Sequence, residues 1–131
     1  MTLLRSTLLA LFACVTLLGA QPAAAAEWKD FDAGAFAEAQ KQDKPILVDV
    51  FAPWCPTCRA QNPILVQLAR EPKYKDMIVF KVDFDSQKDA LRALNAQRQS
   101  TLIAFKGEKE TGRSVGDTDP GSIEALLDSA L

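Results

Sequence analysis

The segment Phe51-Ala52-Pro53-Trp54-Cys55-Pro56-Thr57-Cys58 places two cysteines three positions apart, where an apolar run gives way to a helix-forming stretch. Positions i and i+3 of a helix share a face, so the two sulfurs can meet and close a small ring. The helix N-terminus adds unpaired backbone N–H groups and a partial positive charge beside the first sulfur, which favours its thiolate. A thiolate is the species that attacks disulfides. In disulfide exchange Cys55 is then the attacking thiol and Cys58 the thiol that resolves the mixed disulfide. The alternative chemistry is capture of a soft, two-coordinate ion such as Cu(I) by the same two thiolates.

Other uses of the pair fit less well. Structural zinc needs four ligands, whereas the chain has no histidine and only one further cysteine, Cys14. A purely structural cross-link over so short a loop constrains the unfolded chain little. Met1 and Met77 are the only methionines, so further soft ligands are scarce and exchange is favoured over copper capture. A redox dithiol needs no dissociable cofactor. Asp49 is the second chemical signal, because it interrupts the apolar run 46–52. A lone carboxylate in a buried strand is costly when ionised, so it should be protonated or paired. Within reach of Cys58, directly or through a water, it can accept the proton of the resolving thiol. Thr57 is a candidate hydrogen-bond donor to the Cys55 sulfur, Trp54 a packing lid beside the dithiol, and Trp28 a residue capping the core.

The elements that must position these groups are legible in outline. Asp30 or Asp32 caps a first helix running to about Gln42 with Phe36 on its inner face. The run 46–52 suits a strand buried on both faces, followed by the cysteine helix to about Arg70, kinked at Pro63. Residues 77–83 form the next strand. Ser86-Gln87-Lys88-Asp89 reads as a capping box for a short helix carrying Leu91 and Leu94. Residues 101–105 and 113–115 form two further strands, antiparallel across a turn at Lys106-Gly107-Glu108. A last helix starts at Asp119-Pro120 with Ile123, Leu126, Leu127 and Leu131 as its apolar stripe. This alternation predicts an α/β domain with a mixed sheet.

The first 26 residues read as a leader. Arg5 supplies a positive start, residues 8–20 an apolar core and Ala23 to Ala26 a small-residue cleavage region. An uncleaved membrane anchor is the alternative. Cleavage near Ala26 or Glu27 and export to a bacterial periplasm are expected, leaving one domain over 27–131 of about 105 residues. From Glu27 onward neither sign of charge clusters, so no nucleic-acid footprint exists. Both cysteines of this stretch lie in the motif, as expected when cysteines serve chemistry rather than scaffolding. Its length and apolar content suffice for a monomer.

From residue 27 the chain resembles the thioredoxin superfamily. The resemblance rests on Pro45 to Ala52 leading into Trp54-Cys55, on Pro63 five residues after Cys58, on Phe80 to Asp85, on Thr101 to Lys106 and on Val115-Gly116. It implies a thioredoxin-like fold, a central mixed β-sheet flanked by helices, and a thiol–disulfide oxidoreductase of the protein-disulfide reductase type. It also implies that Asp49 is the buried acid and Lys81 its partner. Substrate would be met by Trp54, Pro56, Thr57, Gln99, Ser100 and Thr101. The approach through Lys44-Pro45 is similar to exported thioredoxin-like domains that take electrons from a transmembrane thiol reductase and act on disulfide-bearing exported proteins.

Two departures stand out. Ser100 occupies the place of the superfamily's cis-proline, and a cis bond before a non-proline residue costs ~2.5–4 kcal/mol against ~0.5–1 before proline. A trans Gln99–Ser100 peptide is therefore expected, with the Ser100 N–H and hydroxyl offered to a partner and Ser100→Pro restoring broad activity. Pro56-Thr57 between the cysteines replaces the Gly-Pro of typical thioredoxins. It implies a potential between the reducing and oxidising extremes, which span ~150 mV.

Overall fold

The strand that carries Asp49 lies at the centre of the sheet. The computed structural model describes residues 24–131. Its elements are β1 (Glu27–Asp30), α1 (Ala33–Lys41), β2 (Pro45–Phe51), α2 (Pro56–Leu68), a 3-10 turn (Pro72–Tyr74), β3 (Ile78–Asp83), α3 (Lys88–Ala93), β4 (Thr101–Lys106), β5 (Lys109–Val115) and α4 (Pro120–Asp128). Among the described residues the strands run in the order β1-β3-β2-β4-β5. The first three are parallel, while β4 is antiparallel to β2 and β5 to β4. This is the mixed, helix-flanked sheet that the sequence predicts.

Strand alternation divides the core in two. Ile46, Val48 and Val50 point to one face with Phe80, Val82, Ile103 and Phe105, under Ala39 of α1 and Leu91 of α3. Leu47, Val79, Leu102 and Ala104 point to the other, under Leu65 and Leu68 of α2 and Ile123 and Leu127 of α4. Each fully buried valine, leucine, isoleucine or phenylalanine among them contributes ~1.5–3 kcal/mol of burial free energy. Asp49 keeps step with Leu47, so its carboxyl faces α2. Lys81 keeps step with Val79 and is the register partner of Asp49 across β2 and β3.

Several local expectations change. The edge strand β1 was not expected, because four residues are too few to show an alternating pattern. Its entry is fixed by the Ala26 N–H donating to Ala69 O (2.8 Å), with Ala26 itself buried. The leader expectation concerns residues 1–26, of which 1–23 lie outside the described residues. Asp32, not Asp30, caps α1 by accepting from the Ala35 N–H (2.7 Å). The capping box at Ser86 does not form. Its N–H goes to Asp83 Oδ1 (3.1 Å), and α3 starts after Gln87, whose side chain bridges the Asp83 N–H and Phe31 O. β5 begins at Lys109 directly after the Gly107 turn, where φ is 56° and a Cβ would lie 2.6 Å from Asp43 Oδ1. Leu131 leaves the α4 stripe and is exposed, while Leu126 packs against the core from its edge.

Candidate active site

Cys55 is the N-cap of α2, with Pro56 at the first helical position, where the missing N–H costs no hydrogen bond. Its Sγ accepts from the Cys58 backbone N–H at 3.0 Å, the bond that a serine or aspartate oxygen makes at other helix starts. A thiolate at Cys55 would keep this bond and lie at the positive end of the helix dipole. The expected Thr57 donor is replaced by this backbone group, since the Thr57 hydroxyl makes no hydrogen bond to the sulfur. Cys55 and Cys58 form a disulfide with Cα atoms 5.3 Å apart, packed among Ala52, Phe51 and Phe84. Cys55 is only 1% exposed and Cys58 8%. Access to the sulfurs is therefore controlled by the loops around them.

Behind the dithiol lies the acid. Asp49 is 4% exposed, and loss of hydration pushes its pKa up to about 6 against the opposing attraction of Lys81. The Lys81 ammonium stands 3.9 Å from Asp49 Oδ2 and 4.2 Å above the Phe51 ring. At that distance it offsets part of the desolvation without a direct hydrogen bond. Asp49, Lys81 and Cys58 line one cleft of about 380 Å³ together with Arg59 and Asn62. Cys55 is not among its lining residues, so of the two cysteines it is Cys58 that shares the cleft with the acid. Neither Arg59 nor Asn62 was expected, because exposed polar residues on a helix carry no sequence signal of a cleft.

The third part is the loop before β4. Among the described residues there is no cis peptide bond, and Ser100 adopts φ 56°, the left-handed region. Its N–H donates to Val50 O (2.8 Å), and its carbonyl accepts from the Gly116 N–H (2.9 Å) and from Gln61 Nε2 (3.3 Å). The expectation that this N–H serves a partner is thus corrected, since β2 already takes it. Proline at position 100 would need φ near −65° and would delete that bond, so Ser100→Pro cannot be a simple restoration. Thr101 is buried with its hydroxyl on Arg98 O (2.7 Å), which leaves Gln99 as the one of the three that reaches the surface in part.

Trp54 is 53% exposed, so it does not act as a lid packed over the dithiol. Its indole N–H donates to Asp85 Oδ2 (2.8 Å), and its ring meets Phe84 edge-on at 6.5 Å. Pro56 is exposed beside it and Thr57 half-buried. Asp85 and Gln61 are the functional neighbours that sequence reasoning missed. Gln61 did leave a signal, because it occupies an apolar-stripe position between Cys58 and Leu65.

The family model of thioredoxin matches residues 27–129, nearly all of the described chain. The chain belongs to the thioredoxin family. It is 37% identical over 89 residues to the H-type thioredoxin of Brassica campestris, covering 68% of this chain and 70% of that protein. Against thioredoxin-2 of Saccharomyces cerevisiae the identity is 34% over 87 residues, 66% of this chain and 81% of the relative. Among solved structures, Trxlp from Edwardsiella tarda EIB202 superposes with a TM-score of 0.75 at 40% identity, covering 77% of this chain and 98% of that one. Members of the thioredoxin family are thiol–disulfide oxidoreductases, and the adjacent Cys55 and Cys58 give this chain the same dithiol–disulfide chemistry.

Proposed function

We propose that this thioredoxin-family protein is an exported disulfide reductase or electron carrier in which Cys55 attacks and Cys58 resolves. The single observation that carries the assignment of roles is the asymmetry of the two sulfurs. Cys55 takes the helix N-cap bond, and Cys58 shares a cleft with Asp49. In the forward cycle the Cys55 thiolate bonds to one sulfur of a substrate disulfide and expels the other as a thiolate. Asp49, ionised and reached through the cleft, accepts the Cys58 proton. Cys58 then bonds to Cys55 Sγ, the second substrate sulfur leaves, and two electrons have passed to the substrate. The disulfide seen here is the oxidised end of that cycle.

Lys81 supports Asp49 by favouring its ionised form. Trp54, Pro56, Thr57 and Gln99 make up the surface that a substrate would meet, with Ser100 and Thr101 as its support. Export rests on the positive start at Arg5, the apolar run 8–20 and the alanines 23–26. Cleavage before Ala26 rather than after it would retain the Ala26–Ala69 bond. A transmembrane thiol reductase would then supply electrons and exported proteins would be the substrates. The relation of such a domain to a reductase has a parallel in the bifunctional thioredoxin reductase/thioredoxin of Mycobacterium leprae, 34% identical over 85 residues. Cu(I) capture by the same two thiolates gains no support from the thioredoxin relatives.

The deciding experiment is the reduction potential of the Cys55–Cys58 pair in glutathione buffers. A value near ~−270 mV agrees with a reductant, whereas one near ~−120 mV would reverse the direction of electron flow. N-terminal sequencing of the protein recovered from a bacterial periplasm checks export, with a new terminus expected at or just before Ala26. Recovery of the intact chain in the membrane fraction would favour the anchor instead.

A further inference from the structure

The inner stripe of α2 reads Cys58, Gln61, Leu65, Leu68, and Gln61 is the member whose chemistry does not belong to a core. It is 1% exposed. Its Nε2 donates to Asp117 O (2.7 Å) and to Ser100 O (3.3 Å), one carbonyl for each amide hydrogen. Both partners are acceptors, which fixes the orientation of the amide. Its Oε1 is left buried without a partner. An unpaired buried carbonyl is unfavourable, and leucine would avoid it while filling the same space. What glutamine supplies, and leucine cannot, is the pair of bonds across two loops.

Those two loops, before β4 and after β5, are tied through Gln61 to the same stripe of α2 that begins at Cys58. They meet at Ser100, whose carbonyl also receives the Gly116 N–H. Ser100 is held at positive φ, a conformation that a side-chain-bearing residue keeps only when its surroundings enforce it. We infer that Gln61 is a positioning residue for substrate selection. Its amide locks the Ser100 and Asp117 loops together into one fixed surface. The inference rests on the reading of the Gln99–Thr101 loop as part of the substrate surface. Gln61 touches no reacting atom. Its effect should fall on folded protein substrates, which must fit against both loops, and not on a small disulfide that needs only the sulfurs.

The test compares the full chain with its Gln61→Leu variant. Steady-state reduction of a protein disulfide, insulin, is measured beside reduction of the small aromatic disulfide 5,5′-dithiobis(2-nitrobenzoate), together with the reduction potential of the pair. Loss of one buried hydrogen-bond pair corresponds to about a tenfold change. The expected result is that insulin KM rises about tenfold, while the small-disulfide rate and the potential stay within about twofold and a few millivolts of the parent. Unchanged kinetics on both substrates would overturn the inference. A parallel fall on both, or a shifted potential, would also overturn it, because Gln61 would then act on the dithiol itself. Should Gln61→Leu fail to fold, Gln61→Met, unbranched and of similar length, is put through the same comparison. A parent protein inactive on both substrates would instead overturn the proposed reductase function.

Discussion

The two faces of the sheet solve different problems. Under α1 and α3 the interior is apolar throughout, with Phe36 set edge-on against Phe80 and Phe105 at 5.6 and 5.4 Å. On the other face the sheet carries Asp49 and Lys81, and α2 above it brings Cys58 and Gln61, all of them polar or reactive. The first face contributes stability through burial and aromatic packing. The second gives part of that up to hold a carboxyl that shares a cleft with Cys58. A single strand, β2, serves both, because its alternate residues belong to opposite faces. Replacements on the apolar face should therefore change stability with little effect on chemistry, whereas replacements at Asp49, Lys81 and Cys58 should change the chemistry.

The most severe break is at the sulfurs. Cys58→Ser should abolish steady-state disulfide reduction and leave a stable mixed disulfide on Cys55, detectable as added substrate mass on a non-reducing gel. If Cys55→Ser gives that adduct on Cys58 instead, the roles assigned above are inverted. Next in size is Phe80→Ala on the apolar face, which should cost ~3–5 kcal/mol in denaturant unfolding. The folded fraction should retain the parent rate on a small disulfide; a large rate loss would show that the two faces are not separable.

Asp49→Asn acts on the polar face. The buried carboxyl binds its proton more tightly in the folded than in the unfolded chain, about 6 against 3.8. Its neutral form is therefore fully accommodated below pH 3.8, and that advantage is lost as the pH rises to about 6. Above pH 6 the native state holds an ionised buried carboxylate, so the asparagine variant should be the more stable by roughly 2–3 kcal/mol, with no gain below pH 4. The same variant should slow resolution of the mixed disulfide and flatten its rise with pH around 6, which stopped-flow kinetics can follow. In Lys81→Met the rise should move to higher pH, because the charge that favours ionisation is gone; movement to lower pH would contradict the pairing. The smallest expected effect is at the exposed rim. Asp85→Asn weakens the charge-assisted bond from Trp54, worth ~1 kcal/mol or less at such exposure, and should alter Trp54 fluorescence without altering the potential.

Much of this arrangement was legible in the chain. The cysteine spacing and the proline after Cys55 dictate a helix start with a sulfur at its cap, since those are local effects within a few residues. The apolar run around Asp49 dictates a central strand and marks the acid as exceptional, because hydrophobic patterning depends only on periodicity. Tertiary structure decided the rest. Asp49 meets Lys81 only through the β2–β3 register, 32 residues apart in sequence, and β1 gains its identity only from an edge that β3 leaves open. The Ser100 loop is the sharpest case. The sequence shows the missing proline, but only the packed chain shows that Val50, Gly116 and Gln61 together hold the serine where it is, because a hydrogen bond between distant segments leaves no trace in local composition.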